Sequence, residues 1–215
     1  GRMDQELFLK TFAALFAIMS PIANLPVFLA LTSDRGPAFE RKVAFTLLIS
    51  LSAGALIIGL TGDIILKVFG ISLDAFRLAG GFLILLIALD LIRGQSTPVH
   101  HGTDKEKENM KAQDNPAIYP LTVPILLGPG SISTMIIFRG QVHDFSQEIA
   151  YIAAVAASIA VLIATFFSAP FLQRFLGETA NSVMSRLMGM ILAAIAMEMM
   201  TDSLKALWPG LAHAG

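Results

Sequence analysis

Long apolar runs alternate with short polar segments along the whole chain, and the runs have the length of bilayer-crossing helices. A helix needs about 20 mainly apolar residues to cross the hydrocarbon core. Runs near 7–31, 43–62, 75–92, 118–138, 147–172 and 184–207 meet that requirement and predict six transmembrane helices. No segment alternates with the period of a barrel strand. Helices also keep their backbone hydrogen bonds internal, as lipid demands. The expected fold class is an all-α polytopic membrane protein. The run after Met3 is expected to persist as the first span and not to be cleaved as a signal peptide. Gly1 and Arg2 read as the remnant of an expression tag. Residues 93–117 form the one long polar stretch, expected as a cytoplasmic loop, and residues 208–215 a short tail.

Composition sharpens the picture. Hydrophobic residues make up 55% of the chain and charged residues 14%, against roughly 25% charged in a soluble domain. So few charges cannot cover a core of this size in water, and the apolar surplus must face lipid. The formal net charge of −1 offers no bulk attraction, so no nucleic acid partner is expected. The absence of cysteine excludes disulfides, thiol catalysis and cysteine-bound metal.

The two halves echo each other. Ser20-Pro21-Ile22-Ala23-Asn24-Leu25-Pro26 is answered by Val123-Pro124-Ile125-Leu126-Leu127-Gly128-Pro129, with both prolines displaced by 103 positions (124 − 21 and 129 − 26). Arg77-Leu78-Ala79-Gly80 is answered by Arg186-Leu187-Met188-Gly189 at a displacement of 109 (186 − 77). A loop insertion would produce the six-residue drift. Residues 3–92 and 118–207 then form two three-helix repeats, and because three is odd the second enters the membrane inverted. Inverted repeats of this kind are common among secondary transporters. Chance recurrence of residues frequent in membrane helices is the alternative.

Each copy of the proline echo places two prolines inside a span. Proline removes a backbone donor and clashes with the preceding turn, so the first and fourth helices are expected to break at Pro/Gly. Ser131, Ser133 and Thr134 suit the start of a new half-helix, where hydroxyls cap orphan N–H groups. Asn24 is given the same capping role in the first span. A half-helix starting near the midplane directs N–H groups and a positive dipole end inward, a ready site for a carboxylate. The candidate substrate-binding residues are therefore Ser20, Pro21, Asn24, Pro26, Pro124, Gly128, Pro129, Gly130, Ser131, Ser133 and Thr134. The competing reading is a pair of kinks that let helices pack closely.

Ionisable groups inside spans are costly and tend to be functional. Arg77 and Arg186 occupy matched positions at span starts; they either join the binding set or snorkel to the headgroups. Glu198, deep in the sixth span, is a candidate for carrying a coupling proton, against the alternatives that it pairs with Lys205 or lies near the outer interface. The four histidines lie in loops or at the terminus, and His100-His101 lack further ligands, so no metal site is expected. No nucleophile–base pair or Walker loop appears. Neither enzymatic activity nor a cofactor is expected.

The motifs SPIANLPVF (20–28), FRLAGGFLILLIALDLIRG (76–94), YPLTVPILLGPGSIST (119–134) and SRLMGMILAAIAMEMM (185–200), in this order and spacing, resemble the MarC family of bacterial inner-membrane proteins. Many members have Asn-Pro where this chain has Ser20-Pro21, and often Gly at the position of Ala23. The resemblance implies a six-span inner-membrane protein that transports amino acids or similar small solutes.

The function expected is that of a secondary transporter, an exporter or exchanger, of a small neutral or zwitterionic solute. Its carboxylate would be held at the broken-helix N-termini. The alternative is an integral membrane scaffold or regulatory protein that transports nothing. The expected partners are that solute and the lipid bilayer; a homo-oligomer is left open, since stretches such as Ala153-Ala154-Val155-Ala156-Ala157 allow close helix contact within a chain or between chains. The segments 32–42, 93–117 and 173–186 carry nine basic residues: Arg35, Arg41, Lys42, Arg93, Lys105, Lys107, Lys111, Arg174 and Arg186. The other side carries five, Lys10, Lys67, Arg77, Arg139 and Lys205. Basic loops stay in the cytoplasm, which puts both termini outside it. An alkaline phosphatase fused to the C-terminus is expected to be active, and a fluorescent protein that matures only in the cytoplasm to be dark there. The reverse pattern would invert the topology.

Overall fold

The computed structural model describes residues 3–32, 35–94, 115–172, 174–175 and 177–210. Among these residues every regular element is helical. In chain order they are α1 (Gln5–Met19), α2 (Pro21–Thr32), α3 (Pro37–Val68), α4 (Leu73–Arg93), the π-helical α5 (Ala117–Leu126), α6 (Pro129–Arg139), α7 (Phe145–Phe167), the short α8 (Ala169–Leu172) and α9 (Glu178–Leu207). By length and composition α3, α4 and α7 are each able to cross a membrane.

The helices exceed or subdivide the predicted spans for identifiable reasons. Three start on side-chain caps: the Leu7 N–H donates to Asp4 Oδ1 (3.0 Å), Ala75 to Ser72 Oγ (3.1 Å) and Gln147 to Asp144 Oδ1 (2.9 Å). Helix α3 has 32 residues, or roughly 48 Å at about 1.5 Å per residue, against a core of about 30 Å. Its polar ends overshoot the apolar centre that the sequence marked as 43–62, and one end carries the Lys67–Asp63 ion pair (2.7 Å). Helix α9 begins at Glu178 and not near 184, because Glu178-Thr179-Ala180-Asn181-Ser182 is polar yet helical. The span expected over 147–172 is interrupted at Ser168, between α7 and α8. Most of the 93–117 loop, with His100 and His101, lies outside the described residues, as do Gly1 and Arg2.

Glycines set the closest helix contacts. Helices α4 and α9 pack along their length. They run antiparallel: Gly81 faces Ala196 and Met200, while Gly189 faces Ala88, Leu91 and Ile92. Small residues let backbones approach, which replaces the hydrophobic drive that lipid cannot supply. Helix α1 packs on α6 and α7, and α3 on α5, α6 and α7. The Phe28 and Phe166 rings stack at 4.6 Å, both fully buried, and tie α2 to α7. The outer side of α3 presents Phe45, Ile49, Leu56, Leu60, Ile64 and Val68, all exposed, an apolar surface that only lipid or another apolar partner can cover.

A β-carbon added at Gly189 would lie 2.9 Å from the Ala88 carbonyl oxygen, which is backbone and cannot swing aside. Gly189→Val is expected to destabilise the protein by about 1–3 kcal/mol, the usual range for overpacking. Gly210→Ala, where nothing lies within 4 Å, serves as the near-neutral control. Thermal unfolding in detergent, followed by circular dichroism, measures the difference.

Candidate functional site

The first break falls at one residue. Ser20 has φ 38° and ψ 77°, the only non-glycine with positive φ among the described residues. This left-handed conformation costs an ordinary residue roughly 1–2 kcal/mol and suits Asn or Gly better. Pro21 reinforces the stop, since the residue before a proline is pushed out of the α region. The Ser20 N–H donates to the Phe16 carbonyl (2.9 Å), and its own carbonyl accepts from the Asn24 N–H (3.0 Å). Helix α2 starts at Pro21 and runs on through Pro26, so the break does not extend over 20–26. Asn24, 6% exposed, donates its amide to the Met19 carbonyl, the last of α1. It therefore closes the C-terminal end of the preceding helix and does not cap N–H groups of the next one, as the sequence reading had it.

The second break is wider. Pro120 and Pro124 cannot donate, and the chain between 117 and 126 winds as a π-helix, with N–H groups reaching five residues back: Leu121 to Pro116 (3.1 Å) and Leu127 to Thr122 (2.7 Å). Pro124 is thus absorbed inside a helical segment. The break comes at Leu127 and the extended Gly128 (φ −93°, ψ −176°), after which Pro129 opens α6 with no side-chain cap. Ser131 donates its hydroxyl to the Leu126 carbonyl (2.7 Å) and Thr134 to the Gly130 carbonyl (2.7 Å). Both hydroxyls serve carbonyls, contrary to the capping of N–H groups expected of them. The breaks sit before Pro21 and before Pro129, a displacement of 108 (129 − 21), and not at equivalent prolines of the 103-residue echo.

Both breaks lie at buried positions. The N-terminal Asp4 N–H donates to the Ser146 carbonyl (3.5 Å), so α1 starts at the end of the bundle where α6 finishes and α7 begins. From there α1 extends 15 residues and α6 11 residues to their breaks, roughly 22 Å and 16 Å along the axis. Met19, Leu25, Leu126 and Leu127 all belong to the main core cluster. Ser20, Asn24, Ser131, Ser133 and Thr134 are all buried, as are Gly128 and Gly130.

Glycines assigned no part in the site from the sequence seat the second break. Gly54 of α3 receives Leu127, Gly62 of α3 receives Ile136, and Gly80 of α4 receives Ile137 and Ser133; a β-carbon at any of them would collide with or crowd its guest. The only signal for them was glycine within an otherwise apolar span. Two α3 hydroxyl residues also reach α5 and its approach: Ser50 Oγ lies 2.6 Å from Thr122 Oγ1, and Asn115 Nδ2 donates to Thr46 Oγ1 (3.3 Å).

The charged candidates lie away from the breaks. Arg77 pairs with Asp202 (3.3 Å) across α4 and α9, and its buried Nε has no hydrogen-bond partner. Glu198 pairs with Lys10 of α1 (3.1 Å) and not with Lys205; Lys10 also holds Glu6 at 3.1 Å. These two pairs, with Gln141, line a cavity of about 40 Å³ near the end of the bundle where α1 begins. Arg186 is exposed on α9, beside Gly94.

Comparison with known proteins gives a consistent picture. A family profile described as "MarC family integral membrane protein" matches residues 5–208. The chain is 34% identical over 212 residues to the UPF0056 membrane protein YhcE of Escherichia coli, covering 97% of this chain and 96% of that protein. It is 36% identical to the UPF0056 membrane protein MJ1677 of Methanocaldococcus jannaschii (94% and 98% covered) and 35% identical to YvbG of Bacillus subtilis (96% and 98% covered). No solved structure matches.

Removing a donor from a buried break strands a carbonyl, at a cost of about 1–3 kcal/mol. Asn24→Leu and Ser131→Ala are each expected to lower the thermal midpoint. Thr165→Ala, whose hydroxyl bonds the Val161 carbonyl on an exposed face of α7, is expected to change it little. Unfolding scans of the three variants in the same detergent make the comparison.

Proposed function

Because the chain belongs to the MarC family of integral membrane proteins, we propose that it is a secondary transporter of a small neutral or zwitterionic solute such as an amino acid. In this reading the solute's carboxylate rests on the N-terminus of α6, and the protein sits in the cytoplasmic membrane with both termini outside. The observation that carries the proposal is a helix start, buried in the bundle and opened by Pro129, that no side chain caps. Its first N–H groups, at Gly130 and Ser131, and the dipole end favour an anionic group. Gly130 gives a ligand close approach to the backbone.

The inverted repeat belongs to the same proposal. If α1, α2, α3 and α4 correspond to α5, α6, α7 and α9, three packing pairs exchange as a two-fold axis would have them: α3 packs on α5 as α7 does on α1, α4 on α6 as α9 does on α2, and α3 on α6 as α7 does on α2. The packing of α1 on α6 and on α9 is not matched to the same extent by α5 on α2 and α4. A scaffold has no use for two buried helix breaks, which is why transport is preferred.

Uptake of a panel of amino acids into proteoliposomes, with and without a proton gradient, tests the reading. Gly130→Leu fills the approach to the N–H groups, and Pro129→Ala lets the helix extend back across the break. Each is expected to weaken solute binding and uptake by about tenfold or more, equivalent to ~1.4 kcal/mol, in protein that still purifies as a single species. Variants that bind and transport like the parent would reduce the breaks to structural kinks. A parent that moves nothing on the panel would favour the scaffold.

A further inference from the structure

A second feature, away from the breaks, points to a ligand of another kind. The outer surface between α3 and α7 is cut by a groove of about 270 Å³. One end is bounded by Arg139 and Glu148, 3.7 Å apart and both partly exposed; the other reaches Ser52 and Ile159. Gly59 lies in the middle of the groove, opposite the Tyr151 hydroxyl, which a β-carbon there would meet at an ordinary contact distance of 3.9 Å. That hydroxyl donates to the Met135 carbonyl (3.3 Å), so the middle of the slot presents apolar surface. The rims are Leu56, Leu60 and Ile152, exposed by 63%, 66% and 57%.

The groove has the dimensions of one leaflet. Glu148 and Ile159 are 11 positions apart on α7 (159 − 148), about 16 Å of helix, and half of a bilayer core is about 15 Å. Arg139 ends α6 and Glu148 lies in the first turn of α7, so the charged end is at headgroup level and the far end near the midplane. Arg139 is too far from Glu148 for a hydrogen bond, and its planar fork suits a phosphate. Glu148 beside it suits an ammonium and disfavours a second negative charge.

We propose that this groove is a specific site for a zwitterionic aminophospholipid. One acyl chain lies along the slot, the phosphate on Arg139 and the headgroup amine on Glu148. The site is independent of the solute pathway proposed above and stands or falls without it.

Native mass spectrometry of protein extracted from vesicles of equal phosphatidylethanolamine and phosphatidylglycerol tests it. The parent is expected to retain one phosphatidylethanolamine per chain. Glu148→Gln is expected to lose that preference at least fivefold, and Arg139→Ala to lower the retention of phosphatidylethanolamine at least fivefold. Ala156→Phe, a substitution on the exposed wall of the slot that leaves the core alone, is expected to release the lipid while the thermal midpoint stays close to the parent's. Glycerophosphoethanolamine, a headgroup without chains, is expected not to displace it. Equal retention of the two lipids, variants that behave like the parent, full displacement by the chainless headgroup, or a lipid-free dimer abolished by Ala156→Phe would each overturn the proposal, the last by showing that a second copy fills the groove.

Discussion

Lipid offers no hydrogen bonds, so a helix that breaks inside a membrane protein must satisfy its freed backbone groups from within. Everything distinctive about this molecule follows from meeting that demand twice. At each break a side chain early in the new helix reaches five residues back to the last carbonyl of the old one: Asn24 to Met19 and Ser131 to Leu126. Thr122 makes the same five-residue reach to Ala117 (2.7 Å) inside the π-helix, where Pro120 and Pro124 have withdrawn donors. Carbonyl ends are closed by side chains, whereas the N-terminus of α6 is not. That asymmetry is why the proposed solute site lies at α6: an unclosed cluster of N–H groups suits an anion, and a closed set of carbonyls does not.

The demand for space comes next. A broken helix is wider than a straight one, and the neighbours must give way. Helices α3 and α4 do so with Gly54, Gly62 and Gly80, each opposite a residue of the second break or of α6. The same device, with Gly81 and Gly189, brings α4 and α9 into close contact. The two ion pairs that hold α9, Lys10–Glu198 to α1 and Arg77–Asp202 to α4, are partly exposed. Each ties α9 to a neighbouring helix, and the glycine contacts bring α9 and α4 together along their length.

Much of this was legible in the chain. Helical class, the spans over α3, α4 and α7, and breaks in the first and fourth spans all follow from apolar run length and from proline, because those signals are local. The exact break points were not. Proline states where a donor is missing, but whether the chain answers with a left-handed residue, as at Ser20, or with a π-helix, as around Pro124, depends on neighbours that only the folded bundle supplies. Partners across helices were equally hidden. Lys205 lies near Glu198 in sequence, yet Lys10, 188 positions away, is its partner, and nothing in α9 marks it.

The displacement between the halves deserves a different reading in the light of the breaks. The proline echo runs at 103 and the Arg-Leu-x-Gly echo at 109, which as sequence requires an insertion between them. The helix breaks, however, are 108 apart and the arginines 109 (186 − 77). Measured by where the backbone stops, one nearly constant displacement relates both features, and no six-residue insertion is needed. Under the proposed duplication the equivalent prolines are then Pro21 and Pro129, each the first residue of its half-helix, while Pro26 and Pro124 fall opposite Thr134 and Phe16 and have no proline counterpart. What a duplicated membrane unit has to keep is the position of its break, because that determines where unsatisfied backbone meets the interior. The letters around the break are free to drift so long as some residue, amide or hydroxyl, reaches back to close the carbonyl left behind.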